Sequence, residues 1–188
     1  MTLERLEFNK DSVDLDAYFG KDMADTEVRA KKSFLELVAT LAERGLTVAT
    51  AESFTGGYIG KLITDVPGSS AVFRGAIVAY VNEIKENLLG VSPDTIEKHT
   101  EVSFEAALEM AEGVRRLFGS DIAISTTGYA GPTGGNERDP VGTVYICISV
   151  KGKVRIFRVL YSGDRLERET VRLCSAYLAA RELACMIE

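Results

Sequence analysis

Histidine, cysteine and tryptophan are scarce in this chain. Its 188 residues include one histidine, three cysteines and no tryptophan. No Cys-x-x-Cys pair and no cluster of cysteine and histidine occurs, which argues against a metal site, and we expect no metal or other cofactor. Three cysteines cannot all pair with one another. We therefore expect Cys147, Cys174 and Cys185 to be buried, reduced thiols.

A basic excess and a long apolar run are also lacking. The chain has 22 lysines and arginines and 28 aspartates and glutamates, which gives a net charge of −6. A sequence-independent nucleic-acid binder needs a basic surface instead. No apolar run approaches the roughly 18–20 residues of a membrane span. The first residues show no basic segment followed by an apolar one, as a signal peptide would. We expect a cytoplasmic protein that binds neither nucleic acid nor membrane.

The remaining composition is that of an ordinary globular domain. With 46% apolar and 27% charged residues, the chain can bury a core, and its length corresponds to one domain. Residues 1–29 carry more acids than bases and show no clean hydrophobic period, so we predict an acidic N-terminal arm there. Residues 30–188 form the predicted domain.

Strand-like runs alternate with helical periodicity from Ala30 onward. The run LTVATA predicts a strand, AVFRGAIVAY predicts a buried strand, and FEAALEMAEGVRRLFG predicts an amphipathic helix that Ser103 caps. The runs GTVYICISV and VRIFRVLY predict a hairpin joined at residues 151–153. This alternation, with one hairpin, predicts an α/β sandwich with a mixed sheet.

The segment TVATAESFTGGYIGK places Ser53 where a predicted strand turns into a helix. Backbone N–H groups near Thr55, Gly56 and Gly57 would lack partners there, and such donors can hold a phosphate or stabilise an oxyanion beside a nucleophile. The same residues also fit a serine N-cap followed by glycines that ease the turn. The segment is neither G-x-S-x-G nor a P-loop.

A serine nucleophile needs a general base. His99, the one histidine, has no obvious partner to orient it. Lys85 is the better candidate, because it stands in the first turn of a helix predicted to be capped by Asn82, where the helix dipole and burial would both lower its pKa. Tyr80, at the end of the preceding strand, could relay a proton or orient the pair. A surface lysine and a core tyrosine are the alternative.

The loop TTGYAGPTGGNERDPVGTV follows another predicted strand and is rich in glycine. Such a loop lets a ligand approach the backbone closely, although a plain series of turns has the same composition. The glycines in question are Gly128, Gly131, Gly134 and Gly135.

Arginines cluster where the last helix is predicted to start. The segment SGDRLERETVR puts Arg165, Arg168 and Arg172 on one face, with Arg165 at the helix N-terminus. A positive side chain there opposes the helix dipole, so a bound anion would explain it. A solvated face balanced by Glu167 and Glu169 is the alternative.

Seven of these segments occur in an order that resembles one family. From about Ala30 to the C-terminus the chain is similar to the CinA C-terminal domains, the family of the nicotinamide mononucleotide deamidases. The resemblance implies a three-layer α/β/α domain that hydrolyses the carboxamide of nicotinamide mononucleotide (NMN), giving nicotinic acid mononucleotide and ammonia. The segments are AESFTGG, DVPGSS, AYVNEIK, GVSPDTI, TGYAGPTGG, DPVGTVY and SGDR.

The resemblance also assigns roles to residues. Ser53 matches the catalytic serine of the family, Tyr80 and Lys85 match its tyrosine and lysine, and Arg165 matches its arginine. We expect Lys85, helped by Tyr80, to take the Ser53 proton as Ser53 attacks the amide, with the oxyanion held at the Thr55–Gly57 helix start. The other predicted contacts to the nucleotide are Ser69, Ser70, Gly128, Gly131, Gly134, Gly135 and Arg165.

Two positions depart from the family pattern and leave an alternative open. Phe54 stands where the family commonly has cysteine, and Tyr129 stands where it more often has isoleucine, so both add bulk beside the predicted site. The alternative is a catalytically weak or inactive nucleotide-binding or regulatory module of the same fold. Longer members carry another N-terminal domain, whose activity we do not expect here. We expect a homo-oligomer, dimer or higher.

Overall fold

A six-stranded mixed sheet organises the chain, which the computed structural model describes for residues 2–14, 23–162 and 166–187 (for residues 2 and 5–14, the backbone alone). The strand order across the sheet is β1-β6-β5-β4-β2-β3. The strands are β1 Thr2–Asp14, β2 Val48–Glu52, β3 Phe73–Val78, β4 Ile122–Gly128, β5 Thr143–Val150 and β6 Lys153–Ser162.

The strand directions bring several chain turns to one edge of the sheet. Strand β2 runs parallel to both of its neighbours, β3 and β4, so that Glu52 lies beside Val78 and Thr126. The carboxyl ends of β2, β3 and β4 therefore meet at the same edge, where open α/β sheets bind ligands. Strands β5 and β6 form the predicted antiparallel hairpin, and β1 pairs in parallel with β6.

Helices cover both faces of the sheet. They are α1 Met23–Glu43, α2 Tyr58–Thr64, α3 Asn82–Leu89, α4 Pro93–His99, α5 Phe104–Phe118 and α6 Arg168–Ile187, with a short 3-10 turn at Ser69–Ala71. One face is packed by α1, α2 and α6, and the other by α3, α4 and α5. The predicted three-layer α/β/α sandwich with a mixed sheet is thereby confirmed.

Alternation along the central strands explains the two layers. In β4, Ile122 and Ile124 face the α1–α2–α6 layer, whereas Ala123 faces the α5 layer. The α3 and α5 helices approach closely at Gly113, where an added Cβ would stand 1.9 Å from the carbonyl oxygen of Leu89. This contact fixes α3, the helix that carries Lys85.

The N-terminal part holds more regular structure than the pattern indicated. Strand β1 lies within the predicted arm, and α1 begins at Met23, seven residues before Ala30. The apolar period continues back through Thr26, which is buried, and Met23, which packs against the core. A threonine in an apolar position hid that period. The domain division at residue 30 stays a prediction.

Strand β3 is an edge strand, which corrects the prediction of a buried one. It pairs with β2 alone among the described strands, and its residues alternate between half-buried and exposed. It ends at Val78, so Tyr80 lies in the connection beyond it and is 60% exposed. A short apolar run cannot distinguish a central strand from an edge strand.

Helix α6 carries the last two cysteines. Cys174 is buried against the sheet, but Cys185 is exposed, contrary to the expectation of three buried thiols. The difference arises because only the inner face of α6 meets the core at its last turns. Neither α6 nor any other helix in the described ranges has the length and hydropathy of a membrane span.

Candidate active site

Ser53 lies at the turn that connects β2 to α2. Its N–H donates a 3.0 Å hydrogen bond to the carbonyl of Thr126, and its own carbonyl accepts one of 3.0 Å from the N–H of Gly56. Gly57 adopts a φ of 93°, which a residue with a side chain rarely reaches. These features turn the chain sharply and hold the Ser53 backbone against β4.

Glu52 caps the helix that follows Ser53. Its fully buried carboxylate accepts hydrogen bonds from the N–H groups of Ile59 and Gly60, at 3.0 and 2.8 Å, and from the hydroxyl of Thr50 at 3.0 Å. A carboxylate at a helix N-terminus is also favoured by the helix dipole. The serine N-cap interpretation is therefore wrong, and the Ser53 hydroxyl is free for another task. A glutamate inside an apolar strand was the sequence signal for this role, and it was missed.

Lys85 meets Ser53 from α3. It is 1% exposed, and its Nζ lies 2.9 Å from the carbonyl oxygen of Ala79 and 3.4 Å from Ser53 Oγ. Burial lowers the pKa of Lys85, while the nearby Glu101 carboxylate acts in the opposite direction. The surface-lysine alternative is wrong. A buried lysine with a lowered pKa beside a serine hydroxyl can act as a general base.

Ser53 and Lys85 line a cavity of about 290 Å³ at the carboxyl ends of the parallel strands. His99 does not line it. In the described ranges, no three His, Cys, Asp or Glu side chains come together as metal ligands. The lining residues are Ser53, Phe54, Tyr80, Asn82, Lys85, Glu101, Val102, Thr127, Gly128, Tyr129, Ala130, Gly131, Thr133 and Arg168.

Tyr80 lines this cavity but bonds to α6. Its hydroxyl accepts a hydrogen bond of 2.9 Å from Arg168, whose guanidinium also donates one of 3.0 Å to the carbonyl of Gly131. Among the described contacts, Tyr80 bonds to neither Ser53 nor Lys85. It is also not the core tyrosine of the alternative reading, since it is exposed. Its part in proton transfer stays a prediction.

Ser69 and Ser70 lie far from this cavity. They precede β3, whose start lies beside the start of β2, as shown by the 2.8 Å hydrogen bond from Val48 N–H to the Val72 carbonyl. Because β2 and β3 are parallel, Ser69 and Ser70 lie at the amino ends of these strands, whereas Ser53 lies at their carboxyl ends. Within one copy of the chain, the predicted contact of Ser69 and Ser70 with the substrate is wrong.

The predicted oxyanion donors lie behind Ser53 and do not line the cavity. The Gly56 N–H is already bonded to Ser53, and the Thr55 hydroxyl bonds to that of Thr126 at 2.7 Å. The Thr55 carbonyl accepts two hydrogen bonds from Arg172, at 3.0 and 2.7 Å. These residues shape the turn, and the prediction that the Gly56 N–H serves as a free donor is wrong.

Two of the four glycines predicted as contacts in the glycine-rich loop lie at the cavity. Gly128 and Gly131 line it. A Cβ at Gly135 would stand 2.7 Å from the Val141 nitrogen, and one at Gly134 would stand 3.1 Å from the Tyr129 ring. Gly134 and Gly135 therefore allow the loop to pack on itself and do not contact the cavity, which corrects their predicted role.

Of the three predicted arginines, Arg168 is the one described at the cavity. Arg172 holds the Thr55 carbonyl, and Arg165 lies outside the described residues. Arg168 is exposed and Arg172 also pairs with Glu169 at 3.3 Å, as the solvated-face alternative has it, but both arginines in addition donate hydrogen bonds to backbone carbonyls at this end of the sheet. The phosphate contact of Arg165 stays a prediction.

Two bulky side chains form part of the cavity wall. Phe54 is 3% exposed and belongs to the core that α1, α2 and α6 cover, and it also lines the cavity. Burial, followed by the charge of Glu101, raises the pKa of Tyr129. Glu101 had been missed, because nothing in the segment HTEVS distinguishes an inward-facing acid from an exposed one.

The CinA C-terminal domain family matches residues 31–186. A putative competence-damage inducible protein of Halothermothrix orenii is 48% identical over 143 residues, which are 76% of this chain and 35% of that protein. A CinA-like protein of Gemmatimonas aurantiaca is 46% identical over 147 residues, which are 78% of this chain and 34% of that protein. The chain spans about a third of the length of the curated relatives it matches.

A solved structure shows the same fold. The competence/damage inducible protein CihA from Agrobacterium tumefaciens superposes with a TM-score of 0.82 at 34% sequence identity. The match covers 85% of this chain and 96% of that one. The sheet and both helix layers described above are thus shared with a protein of known structure.

Proposed function

This chain belongs to the CinA C-terminal domain family, and from that premise we propose that it is an amidohydrolase converting NMN into nicotinic acid mononucleotide and ammonia. The family expected from the ordered sequence segments is thereby confirmed. The names of the relatives state no reaction. The proposal therefore rests on the resemblance and on the chemistry of the cavity.

One observation carries the proposal: the 3.4 Å approach of Lys85 Nζ to Ser53 Oγ at the floor of a cavity. Burial lowers the pKa of Lys85. Lys85 is therefore neutral in a larger fraction of the molecules near pH 7 than a lysine in water would be. A neutral amine can accept the serine proton, whereas an ammonium cannot.

The reaction then follows in two balanced steps. Lys85 takes the proton of Ser53 as Ser53 Oγ bonds to the carboxamide carbon, and the same proton is passed to the leaving nitrogen as ammonia departs. Water, deprotonated by Lys85, next attacks the ester on Ser53; Lys85 returns that proton to Ser53 Oγ as the ester bond breaks, and the carboxylic acid product loses its own proton to solvent. The pyridinium ring withdraws electrons from its carboxamide, which makes the amide easier to attack.

The oxyanion needs donors that reach the cavity. The Asn82 amide and the Tyr80 hydroxyl both line it. Because Tyr80 accepts a hydrogen bond from Arg168, its own proton is free to be donated. Preformed donors of this kind stabilise the charge that develops in the transition state.

The phosphate needs a cation, and Arg168 is the described one at the cavity besides Lys85. A guanidinium binds phosphate through two parallel hydrogen bonds. We assign the phosphate to Arg168, and to Arg165 from the resemblance.

A nucleotide-binding module without useful turnover is the second candidate. Its support is specific: Phe54 and Tyr129 narrow the cavity beside Ser53. The two functions differ in one measurement. Purified protein is incubated with NMN, and ammonia release is followed in parallel with binding by calorimetry. Release that is lost in Ser53→Ala supports the enzyme, whereas binding without release supports the module.

A further inference from the structure

Glu101 is the single acidic side chain among the described residues that line the Ser53–Lys85 cavity. It lies between α4 and α5, and its carbonyl accepts a 2.6 Å hydrogen bond from the hydroxyl of Thr127 at the end of β4. That bond holds Glu101 against the cavity wall. Its position is therefore set by the sheet and does not depend on an unanchored loop.

The Glu101 carboxylate has no hydrogen bond and no ion pair with another side chain in the described part of the structure. Its charge nevertheless acts on two residues of the cavity wall, since it opposes the lowering of the Lys85 pKa and helps to raise that of Tyr129. Glu101 is half-buried and lines the cavity. A positively charged group of a ligand in the cavity can therefore pair with its carboxylate.

The Glu101 carboxylate also opposes the lowering of the pKa of Lys85, the proposed general base. By favouring the ammonium form of Lys85, Glu101 reduces the neutral fraction on which proton abstraction depends. A group that reduces the supply of base is hard to account for as part of proton abstraction. It fits better as a contact for positive charge in the ligand.

We propose that Glu101 and the ring of Tyr129 form a subsite for the positively charged ring of the substrate, which selects a pyridinium over a neutral ring. This inference rests on the proposed function. The carboxylate supplies the counter-charge, and an aromatic face attracts a cation that lies over it. Tyr129 packs on Gly134, where an added Cβ would stand 3.1 Å from its ring, so the loop holds the ring in place.

The test compares two ligands that differ in ring charge. Oxidised NMN carries the pyridinium, whereas its 1,4-dihydro form keeps the ribose, phosphate and carboxamide but has a neutral ring. Calorimetry with Ser53→Ala measures both affinities without turnover. A charge-assisted contact predicts that the oxidised form binds roughly 10- to 100-fold more tightly.

The decisive variant adds Glu101→Gln to Ser53→Ala. We expect the preference for the oxidised form to fall to the roughly two- to fivefold that the Tyr129 ring alone supplies, with the affinity for the dihydro form unchanged. Glu97→Gln, on the exposed side of α4, is the matched control and should keep the preference. Equal urea midpoints for the variants show that each one folds.

The outcomes separate this subsite from the proposed function. A preference that is undiminished in Glu101→Gln overturns the subsite alone, because the site still binds the nucleotide. Equal binding of both forms by Ser53→Ala also overturns it. If Ser53→Ala binds neither form, the proposed function fails, and the subsite fails with it.

Discussion

Arg168 donates a hydrogen bond of 2.9 Å to the hydroxyl of Tyr80, which ties α6 to the connection that follows β3. Its second nitrogen bonds to the carbonyl of Gly131 at 3.0 Å. The guanidinium therefore joins two walls of the cavity while facing its interior. Arg168 can act on the substrate phosphate directly, or through Tyr80, and these roles have different kinetic consequences.

Replacing Arg168 with Met tests the phosphate role. Loss of a charge-assisted contact should raise KM for NMN roughly 10- to 100-fold, with nicotinamide riboside, which lacks the phosphate, hydrolysed as by the wild type. Arg168→Lys, which keeps the charge, should recover part of the loss. If kcat falls equally for both substrates, Arg168 works by positioning Tyr80.

Replacing Ser53 with Ala tests the nucleophile. We expect kcat to fall by several orders of magnitude, since losing a nucleophile usually has that effect. The backbone bonds of Ser53 to Thr126 and Gly56 do not involve its side chain, so the urea midpoint and NMN binding should barely change. Activity above about a tenth of the wild-type value would contradict a covalent mechanism.

The lowered pKa of Lys85 predicts how kcat/KM depends on pH. A base works only when unprotonated, so kcat/KM should rise with pH through the Lys85 pKa. Because burial lowers that pKa, the acidic limb should lie below the ~10.4 of a free lysine. Glu101 acts in the opposite direction, so Glu101→Gln should move the limb to lower pH.

Two substitutions check that Lys85 transfers a proton. Lys85→Met should abolish turnover, and Lys85→Arg should not restore it, because arginine stays protonated. An active Lys85→Arg enzyme would show that this position supplies only a fixed positive charge. A limb that does not move in Glu101→Gln would show that another group titrates there.

The capping role of Glu52 predicts that its loss destabilises the fold. Glu52→Ala leaves the buried N–H groups of Ile59 and Gly60 without an acceptor, at about 1–3 kcal/mol each. We expect the free energy of unfolding to fall by roughly 2–6 kcal/mol in urea denaturation, at an unchanged slope. Glu97→Ala, at an exposed position of α4, should stay within about 0.5 kcal/mol of the wild type. A stable Glu52→Ala protein would mean that water or the turn itself caps α2.

The sequence predicted those features that depend on local pattern. Alternation of strands and helices indicated the layers, and the turn after β2 singled out Ser53. Lys85 was predicted because the positive end of the helix dipole and burial both lower the pKa of a lysine in the first turn of a helix. The positions of Ser69 and Ser70 were wrong because a strand's two ends lie at opposite sheet edges, and the pairing of β3 with β2 is not visible in either segment. Glu101 was missed because its place at the cavity depends on Thr127, 26 residues away, which donates a hydrogen bond to its backbone carbonyl.

Replacing Phe54 distinguishes an enzyme from a binding module. Its ring is 3% exposed and packs in the core behind Ser53 while reaching the cavity. Phe54→Cys removes most of a buried ring, so we expect the free energy of unfolding to fall by about 2–4 kcal/mol. If the core contact dominates, kcat/KM for NMN should stay within roughly threefold of the wild type, below the tenfold that 1.4 kcal/mol of barrier would give.

The matched control is Phe54→Leu, which keeps most of the apolar volume and should recover most of the lost stability. Thermal unfolding and ammonia release are measured on the wild type and both variants. Unchanged stability with a raised kcat/KM in Phe54→Cys would show that the ring only obstructs the cavity. A wild type without detectable deamidation, beside an active Phe54→Cys variant, would make this chain a nucleotide-binding relative whose chemistry the phenylalanine suppresses.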